Sequence, residues 1–286
     1  VTRPIGTRRA AVIGHPVAHS RSPLIHGYWL RQHGIDGDYG LRDVAPEAIE
    51  GFLADFATSG LVGANVTVPH KEAAFRAATY RDPVAQALGA VNTLWLEEDR
   101  LHGANTDVHG FLANLDAAEP DWARALGEAV VLGAGGAARA VVYGLVSRGL
   151  DRVVVANRTR ARAEALREQF GPAVLPVDWR DLAGRLNGCR LLVNTTSLGM
   201  KGQPPLDIDL AALSPDALVT DIVYVPLETP LLKAAKARGL ATVDGLGMLL
   251  HQAVPGFERW FGVRPQVTPE LRALVLADLA AKGQLT

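Results

Sequence analysis

The chain has 286 residues, 48% of them hydrophobic, which is enough for two ordinary domains with real cores. Lys and Arg total 29 against 30 for Asp and Glu, a net charge of −1 that leaves no basic field for nucleic acid or an anionic membrane, so small-molecule partners are expected. A single cysteine, Cys189, excludes an intrachain disulfide framework, and no apolar run reaches membrane-spanning length, which predicts a protein of the reducing cytoplasm.

Arg9 to Gly14 reads as a first strand. A loop follows, then a helix opening at Ser22-Pro23 and stopping at Gly34, with Ser22 as its cap and Pro23 in its first turn. Ser20 and Ser22 flank Arg21 at this helix start, where two hydroxyls and free backbone donors suit a small anion such as a carboxylate. A plain cap and a plain loop residue are the alternative that the residues alone leave open. A second strand is expected near Tyr39 to Val44, and a helix from Pro46 to Thr58. The stretch Gly63 to Lys71 predicts a strand that delivers Asn65 and Thr67 at its carboxyl end, then a helix begun by Pro69 that carries Lys71. A lysine in a first helical turn opposes the helix dipole unless it faces an anion or a carboxylate. Asn92 to Leu96 and Leu101 to Asn105 read as a hairpin leading to Asp107 at the next helix start, where an isolated aspartate is more often a cap than a catalyst.

Val130 to Leu132 runs into Gly133-Ala134-Gly135-Gly136 and a helical pattern, so strand, tight turn and helix follow one another. Gly133, Gly135 and Ala138 satisfy the dinucleotide fingerprint, in which glycines allow the sharp turn and the approach of a pyrophosphate to backbone N–H groups. A glycine turn without a ligand would read the same way. The following strand, Arg152 to Ala156, ends at Asn157-Arg158-Thr159, with Arg162 close behind and no carboxylate to hold a ribose 2′-hydroxyl. Guanidinium forks and a hydroxyl suit a 2′-phosphate instead, which favours NADP over NAD; a solvated helix start is the bland alternative. Cys189 leads into the apolar run Leu191 to Val193 and reads as core. Further strands are expected at Leu218 to Val223 and Ala241 to Val243, and strands alternating with helices predict a parallel doubly wound sheet. Helices Met248 to Trp260 and Pro269 to Ala281 close the chain, Pro255 being expected to kink or end the first.

Five stretches, in this order, resemble the shikimate dehydrogenase family: Ser20 to Pro23; Asn65 to Lys71; Gly103 to Asp107 with Gly110; Gly133 to Gly136 with Asn157 to Thr159; and Asp244 to Leu250 with Gln252. The resemblance implies reversible NADP-linked reduction of 3-dehydroshikimate to shikimate in aromatic amino acid biosynthesis, with no metal. It implies a two-domain α/β fold. Residues 1–107, completed by 246–286, would form the α/β substrate domain, and 108–245 a Rossmann-type NADP domain with a doubly wound parallel sheet. Lys71 and Asp107 would be the catalytic pair. Ser20 and Ser22 would hold the substrate carboxylate, assisted by Tyr224 and Gln252, and Thr67, Asn92 and Asp107 the ring hydroxyls. Ala134, Gly135 and Gly136 would face the pyrophosphate. Asn157, Arg158, Thr159 and Arg162 would face the 2′-phosphate, and Thr195, Ser197, Gly245 and Met248 the ribose or nicotinamide. The chain departs from the family pattern in having Thr195 after Asn194, where alanine is common, and Ile222 after Asp221, where methionine is common. The alternatives are a quinate/shikimate or aminoshikimate dehydrogenase, a related folate dehydrogenase, and an NADP-binding regulatory module. The protein is expected to be a monomer or a homodimer.

Overall fold

In the computed structural model, residues 7–124 and 127–285 are described, and their strands fall into two six-stranded sheets. Two compact units result, one of residues 1–107 and 252–275, the other of 108–251 and 276–286. Residues 276–286 thus group with the second unit.

The first unit contains β1 (Arg8–Gly14), α1 (Ser22–Gln32), β2 (Gly37–Asp43), α2 (Ile49–Ala54), β3 (Gly63–Val66), α3 (Lys71–Ala77), β4 (Tyr80–Arg81), α4 (Pro83–Leu88), β5 (Thr93–Glu97) and β6 (Arg100–Ala104). Its sheet order is β2-β1-β3-β5-β6-β4. β1 pairs in parallel with β2 and β3, whereas β3, β5 and β6 form an antiparallel meander. The expected hairpin is β5–β6, and its turn puts Glu98 and Asp99 at φ 51° and 59°. Two expectations are corrected. The segment Pro46 to Thr58 is a short α2 between two 3₁₀ turns, because Ile49, Leu53 and Phe56 are the residues it buries and the tighter turn after Asp55 brings Phe56 round to the core. α3 opens at Lys71 rather than Pro69, since the His70 N–H closes a turn on the Thr67 carbonyl at 2.9 Å and the buried His70 ring bonds the Val44 carbonyl at 2.7 Å.

α5 (Asp107–Ala118) opens the second unit, which continues with β7 (Glu128–Leu132), α6 (Gly136–Ser147), β8 (Arg152–Asn157), α7 (Arg160–Phe170), β9 (Val174–Asp178), β10 (Leu191–Asn194), β11 (Leu218–Asp221), α8 (Pro230–Ala237) and β12 (Ala241–Val243). All pairings are parallel, in the order β12-β11-β10-β7-β8-β9, the doubly wound arrangement with its reversal between β7 and β10. Successive residues of β8 serve opposite faces. Val153 and Val155 join the core beneath α5, α6 and α7, while Val154 and Ala156 join the core beneath α8. β9 was absent from the sequence reading, because Pro176 interrupts its pattern; it is an edge strand, where proline is tolerated.

α9 (Leu246–Phe261) runs through Pro255 without ending there, and α10 (Pro269–Ala281) follows. The helix returns to the first unit, where the Trp260 indole N–H donates to the Leu94 carbonyl at 2.9 Å. Only glycine fits at position 63, since a Cβ there would stand 1.9 Å from the Trp260 Nε1.

Candidate active site

The carboxyl ends of β1 and β3 bring the first group of site residues together. The Thr67 N–H donates to the Ile13 carbonyl at 2.9 Å, and Gly14 makes room for it, because a Cβ on Gly14 would meet the Thr67 methyl at 2.4 Å. Lys71 follows in the first turn of α3, and its ammonium meets the Asp107 Oδ2 at 2.5 Å. Asp107 begins α5, yet its side chain is not a cap. The Asp107 N–H donates to the Asn105 Oδ1 at 3.0 Å, so Asn105 does the work of capping and the carboxylate is left for other partners. The Asn92 Nδ2 donates to the other oxygen, Oδ1, at 2.9 Å. The Asn92 Oδ1 accepts the Thr106 N–H at 2.8 Å, which fixes the amide's orientation.

The ion pair is partly shielded, with side-chain exposures of 30% for Lys71 and 17% for Asp107. A pair this accessible contributes about 0–1 kcal/mol to stability, so the oriented bonds around Asp107 are out of proportion to a structural role. They hold the Lys71 amino group against a carboxylate at the edge of the sheet, where it can give a proton as the ammonium or take one as the amine.

Ser20 and Ser22 also meet. The Ser20 hydroxyl donates to the Ser22 Oγ at 3.2 Å and accepts the Ser22 N–H at 3.3 Å. The cap reading of Ser22 is corrected: Arg21 holds the cap position, without a side-chain cap bond, and Ser22 is the first helical residue. A buried polar chain runs on from the serines. Tyr39 hydrogen-bonds Ser22 and donates to the Asn65 Oδ1 at 2.7 Å, and the Asn65 Nδ2 donates to the Asn92 carbonyl at 3.3 Å. Burial holds the Tyr39 hydroxyl well above its ordinary pKa, so it stays a donor. Tyr39, Thr93, Asn105 and Thr106 were not singled out from the sequence. The available signal was polar side chains inside strands or next to motifs, which is visible only once the strand faces are known.

In the second unit, Gly133 takes φ +101°, and a Cβ there would stand 2.8 Å from the Thr195 Oγ1. The unusual Thr195 hydroxyl is satisfied by the Leu132 carbonyl at 2.6 Å, so β7 and β10 are bonded at the sheet's reversal. Gly135 and Gly136 begin α6 with no side-chain cap, and a Cβ on either would point into open space. Free helix-start N–H groups facing open space fit a pyrophosphate. Arg158, Thr159 and Arg162 are exposed at the end of β8, and among the described residues no carboxylate pairs with either of these arginines. Arg160, by contrast, pairs with Glu164 at 2.8 Å and Asp178 at 3.2 Å. The donor set therefore fits a 2′-phosphate. Asn157 braces this loop, its Nδ2 donating to the Thr159 carbonyl at 2.8 Å.

Ser197 is exposed on the loop after β10, and Tyr224 is half-buried after β11. Both loops are tied to buried Asp221, whose carboxylate accepts from the Asn194 Nδ2 at 3.0 Å, the Val223 N–H at 3.0 Å and the Thr229 hydroxyl at 2.8 Å. Burial raises the Asp221 pKa against these three donors. Gly245 and Met248 lie at the start of α9 in the second unit, and Gln252 lies further along it in the first. Tyr224 and Gln252 thus belong to different units from each other. Burial pushes the Cys189 thiol up to about 11, as befits a core residue.

Residues 12–94 match the shikimate dehydrogenase substrate binding domain, 122–199 the shikimate/quinate 5-dehydrogenase family, and 245–274 the shikimate 5′-dehydrogenase C-terminal domain. A shikimate dehydrogenase (NADP(+)) of Azorhizobium caulinodans is 66% identical, over 97% of this chain and 99% of that one. Among solved structures, shikimate 5-dehydrogenase from Thermus thermophilus, in complex with NADP(H) and shikimate, is 40% identical, with a TM-score of 0.84 over 95% of this chain and 100% of that one. Quinate dehydrogenase from Corynebacterium glutamicum, in complex with NAD, is 32% identical, with a TM-score of 0.87 over 95% of this chain and 99% of that one. Identity of this order along nearly the whole of both chains makes the protein a member of the shikimate dehydrogenase family.

Proposed function

We propose that the protein catalyses the reversible NADP-linked reduction of the 3-dehydroshikimate carbonyl to shikimate, in the pathway to chorismate and the aromatic amino acids. The observation that carries this reading is the Lys71 ammonium held 2.5 Å from the Asp107 carboxylate, in a unit whose segments next to β1, β3 and β5 carry Ser20, Ser22, Thr67 and Asn92. When bound, the cofactor would supply the hydride chemistry at its nicotinamide C4, the oxidised form accepting the hydride and the reduced form giving it. In the oxidation of shikimate the substrate hydroxyl must lose a proton, which Lys71 takes as the neutral amine; in reduction Lys71, as the ammonium, gives a proton to the carbonyl oxygen. Asp107 orients Lys71 and accepts from a substrate hydroxyl, while Asn92 keeps that carboxylate in place. Ser20 and Ser22 hold the substrate carboxylate with help from Tyr224 and Gln252, and Thr67 takes a ring hydroxyl. Ala134, Gly135 and Gly136 take the pyrophosphate, Asn157, Arg158, Thr159 and Arg162 the 2′-phosphate, and Thr195, Ser197, Gly245 and Met248 the ribose and nicotinamide.

Residues 1–107 with the returning helix then act as the substrate domain, and the doubly wound unit as the NADP domain. The single cysteine, buried and unpaired, supports work in a reducing cytoplasm, and the protein is proposed to act as a monomer or homodimer. Assays with shikimate and quinate, each with NADP and NAD, test the reading. Shikimate with NADP should give the highest kcat/KM. Preference for quinate would make the protein a quinate dehydrogenase, and tight NADP binding without turnover of either acid would make it a regulatory module.

A further inference from the structure

The turn from Asp244 to Met248 is gripped from two sides. A Cβ on Gly245 would stand 2.2 Å from the Ile222 carbonyl oxygen, so this glycine lies directly against the backbone after β11. On the other side stands Asn114, on α5. Its Nδ2 donates to the Asp244 carbonyl at 2.8 Å, and a Cβ on Gly247 would lie 1.7 Å from its Oδ1. The Asp244 carboxylate in turn accepts the Leu246 N–H at 3.0 Å and fixes the start of α9. Met248, half-buried, packs on the core that α5 also covers.

We infer that Asn114 is a positioning residue for the nicotinamide: it sets the Asp244–Met248 turn, and Gly247 is glycine so that the Asn114 side chain can reach the Asp244 carbonyl. The inference rests on the reading above that Gly245 and Met248 face the nicotinamide. A side chain at position 247 would push Asn114 off its acceptor, because the clash falls on the amide itself and a short side chain has little room to swing. The consequence is local. The nicotinamide end of the cofactor should loosen, while the adenosine end, held by the β8 loop, should not.

Two probes separate the ends: NADPH, whose nicotinamide fluorescence reports binding, and adenosine 2′,5′-bisphosphate, which carries the 2′-phosphate and no nicotinamide. Asn114→Ala should weaken NADPH by about three- to tenfold, the usual range for one lost hydrogen bond, and leave the bisphosphate unchanged. Gly247→Ala should weaken NADPH at least as much. In the double variant the new methyl group meets no amide, so its NADPH affinity should equal that of Asn114→Ala alone, a departure from additivity that a general loss of stability would not produce. Thermal melts confirm that each variant is folded. Unchanged NADPH affinity in folded Asn114→Ala overturns the inference, as does an equal loss for both probes or strict additivity in the double variant. Met248→Ala distinguishes the two levels of failure. If it leaves NADPH binding intact, the turn is not the nicotinamide site and the inference falls with that reading; if it weakens NADPH while Asn114→Ala does not, only the inference falls.

Discussion

Asp107 shows how a residue's role is decided by its neighbours. From the sequence it is either a helix cap or half of a catalytic pair; in the structure it is the first residue of α5, its N–H bonds the Asn105 Oδ1 at 3.0 Å, and its carboxylate oxygens bond Lys71 and Asn92. With Asp107 free to hold the ammonium, Lys71→Ala should lower the turnover number by about a hundredfold to ten-thousandfold with little change in the shikimate KM, since proton transfer counts mainly in the transition state. Lys71→Arg should recover little of this, because a guanidinium keeps its proton and has another shape. Steady-state kinetics at saturating NADP check both; turnover within a few-fold of wild type in Lys71→Ala would move the proton to another group. Arg158 and Arg162 differ from Arg160 in having no carboxylate partner among the described residues. Arg158→Ala should therefore raise the NADP KM by about tenfold to a hundredfold and hardly alter that for NAD, the loss expected for one charge-assisted bond to phosphate. An equal loss with both cofactors would make Arg158 structural. Of the two partners of Arg160, Glu164 is legible in the sequence as an i,i+4 pair that Arg158 and Arg162 lack, whereas Asp178 lies on the strand whose pattern Pro176 interrupts.

Elements were most legible where one pattern dominates. The glycine turn, the β7-α6-β8 unit and the hairpin β5–β6 follow from local residue types. Less legible were elements decided by tertiary packing. Pro255 costs a helix interior about 3 kcal/mol, but Phe257, Trp260 and Phe261 beyond it are buried, and each contributes about 1.5–3 kcal/mol, so the helix continues. The cap of α1 and the start of α3 depend on a loop side chain and a turn. Ser20 meets the Ser22 N–H, and the Thr67–His70 turn delays α3. The hairpin turn carries a residual conflict, since Glu98 and Asp99 both occupy the left-handed region, which favours Asn-Gly. Replacing Glu98-Asp99 by Asn-Gly should raise stability by about 1 kcal/mol, measured by urea unfolding, with kinetics unchanged. A loss of stability would mean that the two acidic side chains make contacts worth more than the backbone strain.

At the scale of the whole molecule, each unit has its own sheet and core, and buried titratable groups in both help to set how folding depends on pH. His26 lies fully buried with its ring stacked on Tyr39 at 4.0 Å between centroids, and it also contacts Trp29, Phe257 and Trp260. Burial lowers its pKa to about 3, the Asn65 side chain pulling the other way. The folded protein therefore keeps His26 neutral where the unfolded chain, with an ordinary imidazole near 6.5, takes up a proton. Its contribution is complete above pH 6.5 and is lost progressively as the pH falls from there toward 3, reaching about 2 kcal/mol at pH 5 from the 1.4 kcal/mol per unit of proton linkage. His251, also lowered by burial and by His109, acts in the same direction. Asp82 and Asp221, raised by burial, act in the opposite direction, so the wild-type curve alone does not isolate His26. His26→Phe does, because it keeps an aromatic ring for Tyr39 to stack on and removes the titrating nitrogens. The stability difference between wild type and His26→Phe, from urea unfolding at pH 8 and pH 5, should shift by about 2 kcal/mol in favour of the variant at the lower pH. Parallel pH profiles would show that the imidazole is protonated inside the folded protein, and that the aromatic cluster opens to water in acid.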